Sequence, residues 1–224
     1  MAKQDRAIRT RRTILEAAAV VFDERGYDAA TISEILARAE VTKGALYFHF
    51  ASKEDLARAV VQTRMSVTAL RPELPRSSKM QELVDIGLIF THRLLVDPVL
   101  RGCVRLSIEH SATAPHRDAR FDDWTQLHTR TLTEGKERGE VLPHVMPSEV
   151  AELIVAAYGG INALSQTVCG RADLERRAIV LYEHLMPGVA VPAVLVRLDI
   201  APGRGARALA ELERQRAGTP AGVA

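Results

Sequence analysis

Cysteine, aromatic side chains and long apolar runs are all scarce in this chain, and each scarcity narrows what it can do. The two cysteines, Cys103 and Cys169, have no metal-ligand spacing and read as buried thiols of a reducing compartment. The seven histidines are scattered, so no zinc or other metal site is expected. No nucleophile–base pair, paired carboxylates or glycine-rich phosphate loop stands out, which argues against an enzyme and against a bound cofactor. No apolar run reaches the roughly 18 residues of a membrane span and no signal-peptide pattern opens the chain, so the expected location is cytoplasmic, with no membrane partner. The net charge is +2 and the pI about 8.7, too mild to argue for nucleic acid by themselves.

What is present is helical periodicity. The 224 residues are 47% hydrophobic and 26% charged, an ordinary globular composition with room for one large or two small domains. Apolar positions recur at helical spacing over 7–25 through Ile8, Ile14, Leu15, Ala18, Val21 and Phe22, and the pattern stops at Gly26. Ser52 with Asp55 starts another helix, which continues through Leu56, Ala59, Val60 and Met65 towards Pro72. Further helices are expected over 78–96, 99–112, 118–138, 148–169 (capped by Ser148) and 173–186, followed by one or two weaker ones. No convincing strand or repeat appears, so the fold class is all-α. The expected division is a three-helix N-terminal domain over 1–53, a connecting helix over 54–72 that acts as a lever, a larger helical domain over 73–217 and a disordered tail over 218–224.

The stretch from Thr31 to Phe50 organises the rest. Thr31 with Glu34 makes a capping box, Ile32, Ile35 and Leu36 give the first short helix an apolar face, and Thr42 caps a second helix beginning at Lys43. Leu46 and Phe50 are expected to point inward, with Lys43, Tyr47 and His49 outward. A helix so presented fits a DNA major groove, roughly 12 Å wide, while Gly44 and Ala45 leave room beside base edges. An ordinary αα-hairpin with a solvated polar face fits the same periodicity. Residues 1–12 carry five basic side chains (Lys3, Arg6, Arg9, Arg11, Arg12) against Asp5, a local charge of +4. That suits an arm reaching phosphates or a minor groove, or else a solvated terminus; the neighbouring motif favours the arm.

These residues carry a resemblance. The block VTKGALYFHFASKEDL at 41–56 resembles the DNA-binding signature of the tetracycline-repressor (TetR) family. AIRTRRTILEAAAVVF at 7–22, ERGYDAATISEIL at 24–36 and DDWTQL at 122–127 are similar to its γ-butyrolactone autoregulator receptors and their pseudo-receptor relatives. PGVAVP and APGRGARALAEL near the C-terminus agree more loosely. Glu40 departs from the family pattern, standing in the turn where glycine is usual; a C-cap there favours positive φ, at a cost of about 1 kcal/mol for a side chain.

The resemblance implies a homodimeric repressor that leaves a pseudo-palindromic double-stranded operator when a small-molecule inducer binds. Arg6, Arg9 and Lys53 would touch phosphates, Thr31, Ser33, Thr42, Tyr47 and His49 would add hydrogen bonds, and Lys43, Gly44 and Ala45 would lie nearest the bases. Dimerisation would use the strongly apolar helix over 148–169 together with 173–186. Trp124, the only tryptophan, would lie against the ligand, with Leu88, Val104, Leu106, Ile108, Gln126 and Asn162 as lining candidates by helical face. At position 64 similar receptors tend to carry glutamine, whereas this chain has Arg64, with Gln62 half a turn away. If it faces the cavity, Arg64 favours a carboxylate or phenolate over a neutral lactone. Two alternatives therefore stand beside the lactone receptor: a pseudo-receptor sensing an antibiotic or acidic metabolite, and a small-molecule-binding protein with a vestigial helix pair.

Overall fold

The computed structural model describes residues 2–64, 78–111 and 119–218. Its fold is all-α. The chain separates into two compact units, one of residues 1–69 with 96–118, the other of 70–95 with 119–224.

In the first unit, α1 (Ala2–Ala29) buries Ile14, Ala18 and Phe22 along one face. It loses helical geometry at Gly26, whose φ of 77° only glycine adopts cheaply. Three short helices follow: α2 (Ile32–Ala39), α3 (Lys43–His49) and α4 (Lys53–Arg64). Ser52 Oγ accepts from the Asp55 amide at 3.0 Å, so α4 starts where the sequence puts it. The unit is completed by α6 (Pro98–Ser111), laid along α1 so closely that a Cβ on Gly102 would collide with the Ala19 carbonyl. Three side chains of α6 grip the end of α1. Arg101 Nε meets Asp23 Oδ2 at 2.7 Å, Arg105 Nη1 donates to the Asp23 carbonyl at 2.6 Å, and Glu109 Oε2 accepts from the Tyr27 amide at 2.8 Å. The packing division thus differs from the functional one expected from the sequence, because α6 packs with the N-terminal helices. The second half of the expected lever, 65–72, lies outside the described residues, as does the end of the tail.

The second unit is built from α5 (Lys79–Val96), α7 (Ala119–Glu137), α8 (Pro147–Cys169), α9 (Leu174–Leu185), the short α10 (Pro192–Leu195) and α11 (Arg204–Gly218). Met80, Leu83, Val84 and Leu88 of α5 meet Leu132, Ile154, Ile179 and Tyr182 in one core. Gly87 is required there, since a Cβ would strike the Tyr182 hydroxyl. Helix α11 is fastened to α5 by a buried bidentate pair, Arg204 Nε and Nη2 on the two Asp85 oxygens at 2.7 and 2.6 Å. The only strand-like pairing among the described residues is the isolated bridge between Val141 and Ala190.

Two local expectations need correction, and one feature of α8 stands out. Ser148 does not cap α8: Met146 is the N-cap and Pro147 the first helical residue, a position that suits proline because no partner is needed for its nitrogen. Cys103 is buried but Cys169 is exposed at the end of α8, donating to Asp173 Oδ1 at 3.2 Å. Helix α8 is apolar nearly all round, yet within one chain it buries only Ala151, Ile154, Asn162 and Ser165, leaving Leu153, Leu164 and Val168 at least half exposed.

Candidate nucleic-acid interface

The α2–turn–α3 segment is held by bonds that span three to five residues. Thr31 Oγ1 accepts from the Glu34 amide at 3.2 Å, while Glu34 Oε2 takes the Thr31 hydroxyl at 2.9 Å and its amide at 3.0 Å. Those two Thr31 bonds hold the Glu34 carboxyl below the usual carboxylate range. Helix α2 ends at Glu40, which sits in the left-handed region at φ 53°, ψ 41°. Two residues later Thr42 Oγ1 accepts from the Ala45 amide at 3.2 Å and starts α3. Leu46 and Phe50 anchor α3 inward. On the outside, a Cβ added at Gly44 would meet nothing within 4 Å, and Tyr47 is 44% exposed with Lys43 Nζ 5.9 Å from its ring centre. The result is a short, rigidly capped helix with a clear outer face, able to approach a flat or grooved polyanion closely.

The predicted contact residues divide by how free their polar atoms are. Arg6, Arg9, Ser33, Thr42, Lys43, Gly44 and Tyr47 are exposed, and His49 is half-buried. The Thr31 hydroxyl is committed to Glu34, so this residue serves α2 before it can serve a phosphate. Lys53 is tied back as well, 3.3 Å from the Asp28 carbonyl and 4.6 Å from the Tyr27 ring centre. One residue was missed and one expected only as part of the basic terminus has a defined place. Phe48 is 80% exposed, edge-on to His49 at 5.0 Å, an apolar surface beside the outward helix. Arg11 lies 5.2 Å over the Phe50 ring; the basic residues are not an arm ahead of the first helix, as expected, but the first turns of α1 itself, which begins at Ala2. The aromatic run 47–50 was the signal for both.

The residues chosen for a ligand fall in both units. Val104 and Leu106 are both buried in the first unit, but residues two apart on a helix point to nearly opposite sides. Leu88 belongs to the core of the second unit, Gln62 and Gln126 are exposed, and Asn162 accepts from Arg171 Nε at 3.1 Å, so its carbonyl is already used. The side chains of Arg64 and Ile108 lie outside the described residues. Trp124 is half-buried within an aromatic group that the sequence reading did not assemble. The Phe90 ring is 4.9 Å away, Phe90 in turn lies 5.7 Å from Tyr158, and His128 stacks on the indole at 6.1 Å and 29°. His128 stands four residues after Trp124 and shares its helix face; Gln126, two after, does not. That spacing could have found it.

Against known proteins, the family model described as bacterial regulatory proteins, tetR family, matches residues 14–60. The chain is 44% identical over 224 residues to the A-factor receptor protein of Streptomyces griseus, covering 97% of this chain and 78% of that protein. A crystal structure of a gamma-butyrolactone receptor (ArpA-like protein) aligns with a TM-score of 0.70 at 31% identity, over 96% of this chain and 100% of that one. CprB from Streptomyces coelicolor, solved in complex with its biological operator sequence, aligns with a TM-score of 0.71 at 32% identity, over 96% and 100%.

Proposed function

Because this chain belongs to the tetR family of bacterial regulatory proteins, closely related to the A-factor receptor and to gamma-butyrolactone receptors, we propose that it is a ligand-responsive transcriptional repressor. It binds a pseudo-palindromic operator as a homodimer and is released by a small signalling molecule of γ-butyrolactone type. A role on DNA places it in the cytoplasm. The observation that carries this reading is α3: capped at Thr42 behind the left-handed Glu40, it faces outward through Gly44, Tyr47 and Phe48 while Leu46 and Phe50 hold it from behind. Lys43, Gly44 and Ala45 lie nearest the bases, and Arg6, Arg9 and Arg11 lie along the phosphates.

The second copy covers the apolar side of α8 and α9. Leu153, Ile161, Val180, Leu181 and Leu185 line a groove of about 450 Å³ there, continuous in sequence with the exposed Leu164 and Val168. A helix pair left uncovered in this way is completed by its own two-fold mate, which also sets two reading helices about 34–36 Å apart, one turn of B-form duplex. Ligand shifts the equilibrium only by preferring the conformation that does not hold DNA; a coupling of about 1–3 kcal/mol lowers operator affinity roughly 5- to 150-fold.

Gel shift on the chain's own promoter region is expected to give a band that a γ-butyrolactone abolishes. Tyr47→Ala removes an exposed contact and is expected to weaken that band about 10- to 100-fold with the helical circular dichroism unchanged. A band indifferent to Tyr47→Ala takes the α3 face off the DNA.

A further inference from the structure

Resting on the reading of α3 as the helix that enters the operator, we propose that Phe48 reads a base. Its ring packs on the C5 methyl group of one thymine in each half-site and so sets sequence preference there.

Rotation about α3 decides which side chain reaches deepest. Leu46 is fully buried and Phe50 is 4% exposed, and the two fix the inward side. Phe48 stands two residues after Leu46, roughly 200° around the helix, which puts it opposite that anchor. Gly44, four residues before Phe48, shares this outermost side, and a Cβ there would meet nothing within 4 Å. Lys43 and Tyr47 lie on one flank, the lysine Nζ 5.9 Å from the tyrosine ring centre, and Ala45 and His49 lie on the other.

The outermost strip is therefore apolar, on a helix whose partner is a polyanion. Phe48 is 80% exposed, against 44% for Tyr47, and its phenyl ring has neither donor nor acceptor for a phosphate or for the polar edge of a base. Of the groups that line a major groove, the thymine methyl is the one an apolar side chain recognises. The ring is also held ready. His49 meets it edge-on at 5.0 Å and 82°, and the His49 ring lies 6.3 Å from that of the buried Phe50, so ring contacts run from the core to the outermost side chain. A side chain braced in this way loses less freedom on binding. With no side chain at Gly44, the backbone of α3 comes close enough for the ring to reach the groove floor.

Deoxyuridine differs from thymidine by this methyl alone and keeps the base pair, so it isolates the contact. On the promoter duplex that gives the shifted band, thymines are exchanged for uracil one symmetry-related pair at a time, and the dissociation constant of the full-length protein is measured by fluorescence anisotropy. Burial of one methyl group is worth about 4-fold in affinity, so one such pair is expected to cost the wild type about 15-fold over two half-sites. Phe48→Ala is expected to lose at least as much on the thymine duplex, with its helical circular dichroism unchanged, and to bind the thymine and uracil duplexes equally at that pair. A Phe48→Ala protein that stays sensitive to uracil there gives the methyl to another side chain and overturns the proposal. Wild type that binds every uracil duplex as tightly as the thymine duplex also overturns it, and leaves α3 on the DNA if Tyr47→Ala still weakens the band. That arm needs no variant of Phe48, so it decides whether or not Phe48→Ala folds. If Tyr47→Ala and Phe48→Ala both bind as the wild type does, α3 is off the DNA and the reading beneath the proposal fails with it.

Discussion

The reading helices and the second unit satisfy their polar groups over very different stretches of chain. Around α2 and α3 the partners are near neighbours: Thr31 with Glu34, Thr42 with the Ala45 amide, the Glu40 amide with the Leu36 carbonyl. The second unit has short-range pairs too, such as Arg177 with Asp173, but its helices are closed by partners far apart in sequence. Arg204 meets Asp85, the Asp199 amide meets Gln81, and Ser78 with the Met80 amide meets Glu140. A locally bonded segment is a preformed part that tolerates editing one residue at a time. A unit closed by distant pairs depends more heavily on each of them, because each one holds whole helices together.

The largest effect expected from this contrast is at the α5–α11 clamp. Asp85 is fully buried and holds two nitrogens of Arg204, so Asp85→Ala leaves a buried guanidinium with only Glu211 at 3.3 Å and Asp199 at 3.5 Å. Loss of one member of such a pair costs about 3–5 kcal/mol, to be read from urea unfolding. A loss below about 1 kcal/mol would mean that the long-range closure is not what holds the unit, and the comparison would break.

Next comes acid. His128 has its folded pKa depressed from 6.5 to about 4, so between those values the unfolded chain binds the extra proton and stability falls as pH drops. Taking the wild type from pH 7 to pH 5 is expected to remove about 2 kcal/mol through this group, and His128→Phe to abolish that part of the slope. Parallel slopes in the two proteins would show that the imidazole is hydrated or protonated in the fold, and would weaken the contrast by removing the second unit's buried neutral imidazole from it.

The smaller effects belong to the reading helices. Glu40 at φ 53° holds a conformation that glycine adopts freely, so Glu40→Gly is expected to stabilise by about 1 kcal/mol in a thermal melt. Removing the carboxylate from the turn should also strengthen the operator band modestly. Destabilisation by this change would mean that the Glu40 side chain has a role in the turn that outweighs its backbone strain.

Legibility follows the same division. The capping box, the αL position at 40, the stop at Gly26 and the inward Leu46 and Phe50 could all be read from the sequence because each is decided within about five residues. Trp124 was legible as a candidate but its surroundings were not. Phe90, Tyr158 and Thr91 come from helices separated from it by long stretches of chain, and only His128, one helical turn away, was within reach of a spacing argument. The Ser148 cap failed for a local reason, since Pro147 competes for the first helical position. The grouping of α6 with α1 depends on Gly102 admitting the Ala19 backbone, a contact between residues far apart in the chain that no periodicity signals.

The most delicate probe is the bidentate pair joining α1 to α2, Arg38 Nη1 and Nη2 on the Glu24 oxygens at 2.7 and 3.0 Å. Its geometry is as good as that of Arg204 on Asp85, but the side chains are 40% and 49% exposed, so water and salt screen what the geometry offers. Arg38→Ala is therefore expected to cost about 0.2–1 kcal/mol at low ionic strength. In about 1 M salt, where the Debye length shrinks to roughly 3 Å, the cost should approach zero. Two ion pairs of one shape would then differ several-fold in worth through burial alone. A salt-independent loss of about 2 kcal/mol or more would instead mean that α2 depends on α1 for its position as strongly as α11 depends on α5. The reading helices would then not be the self-contained part that their local bonding describes.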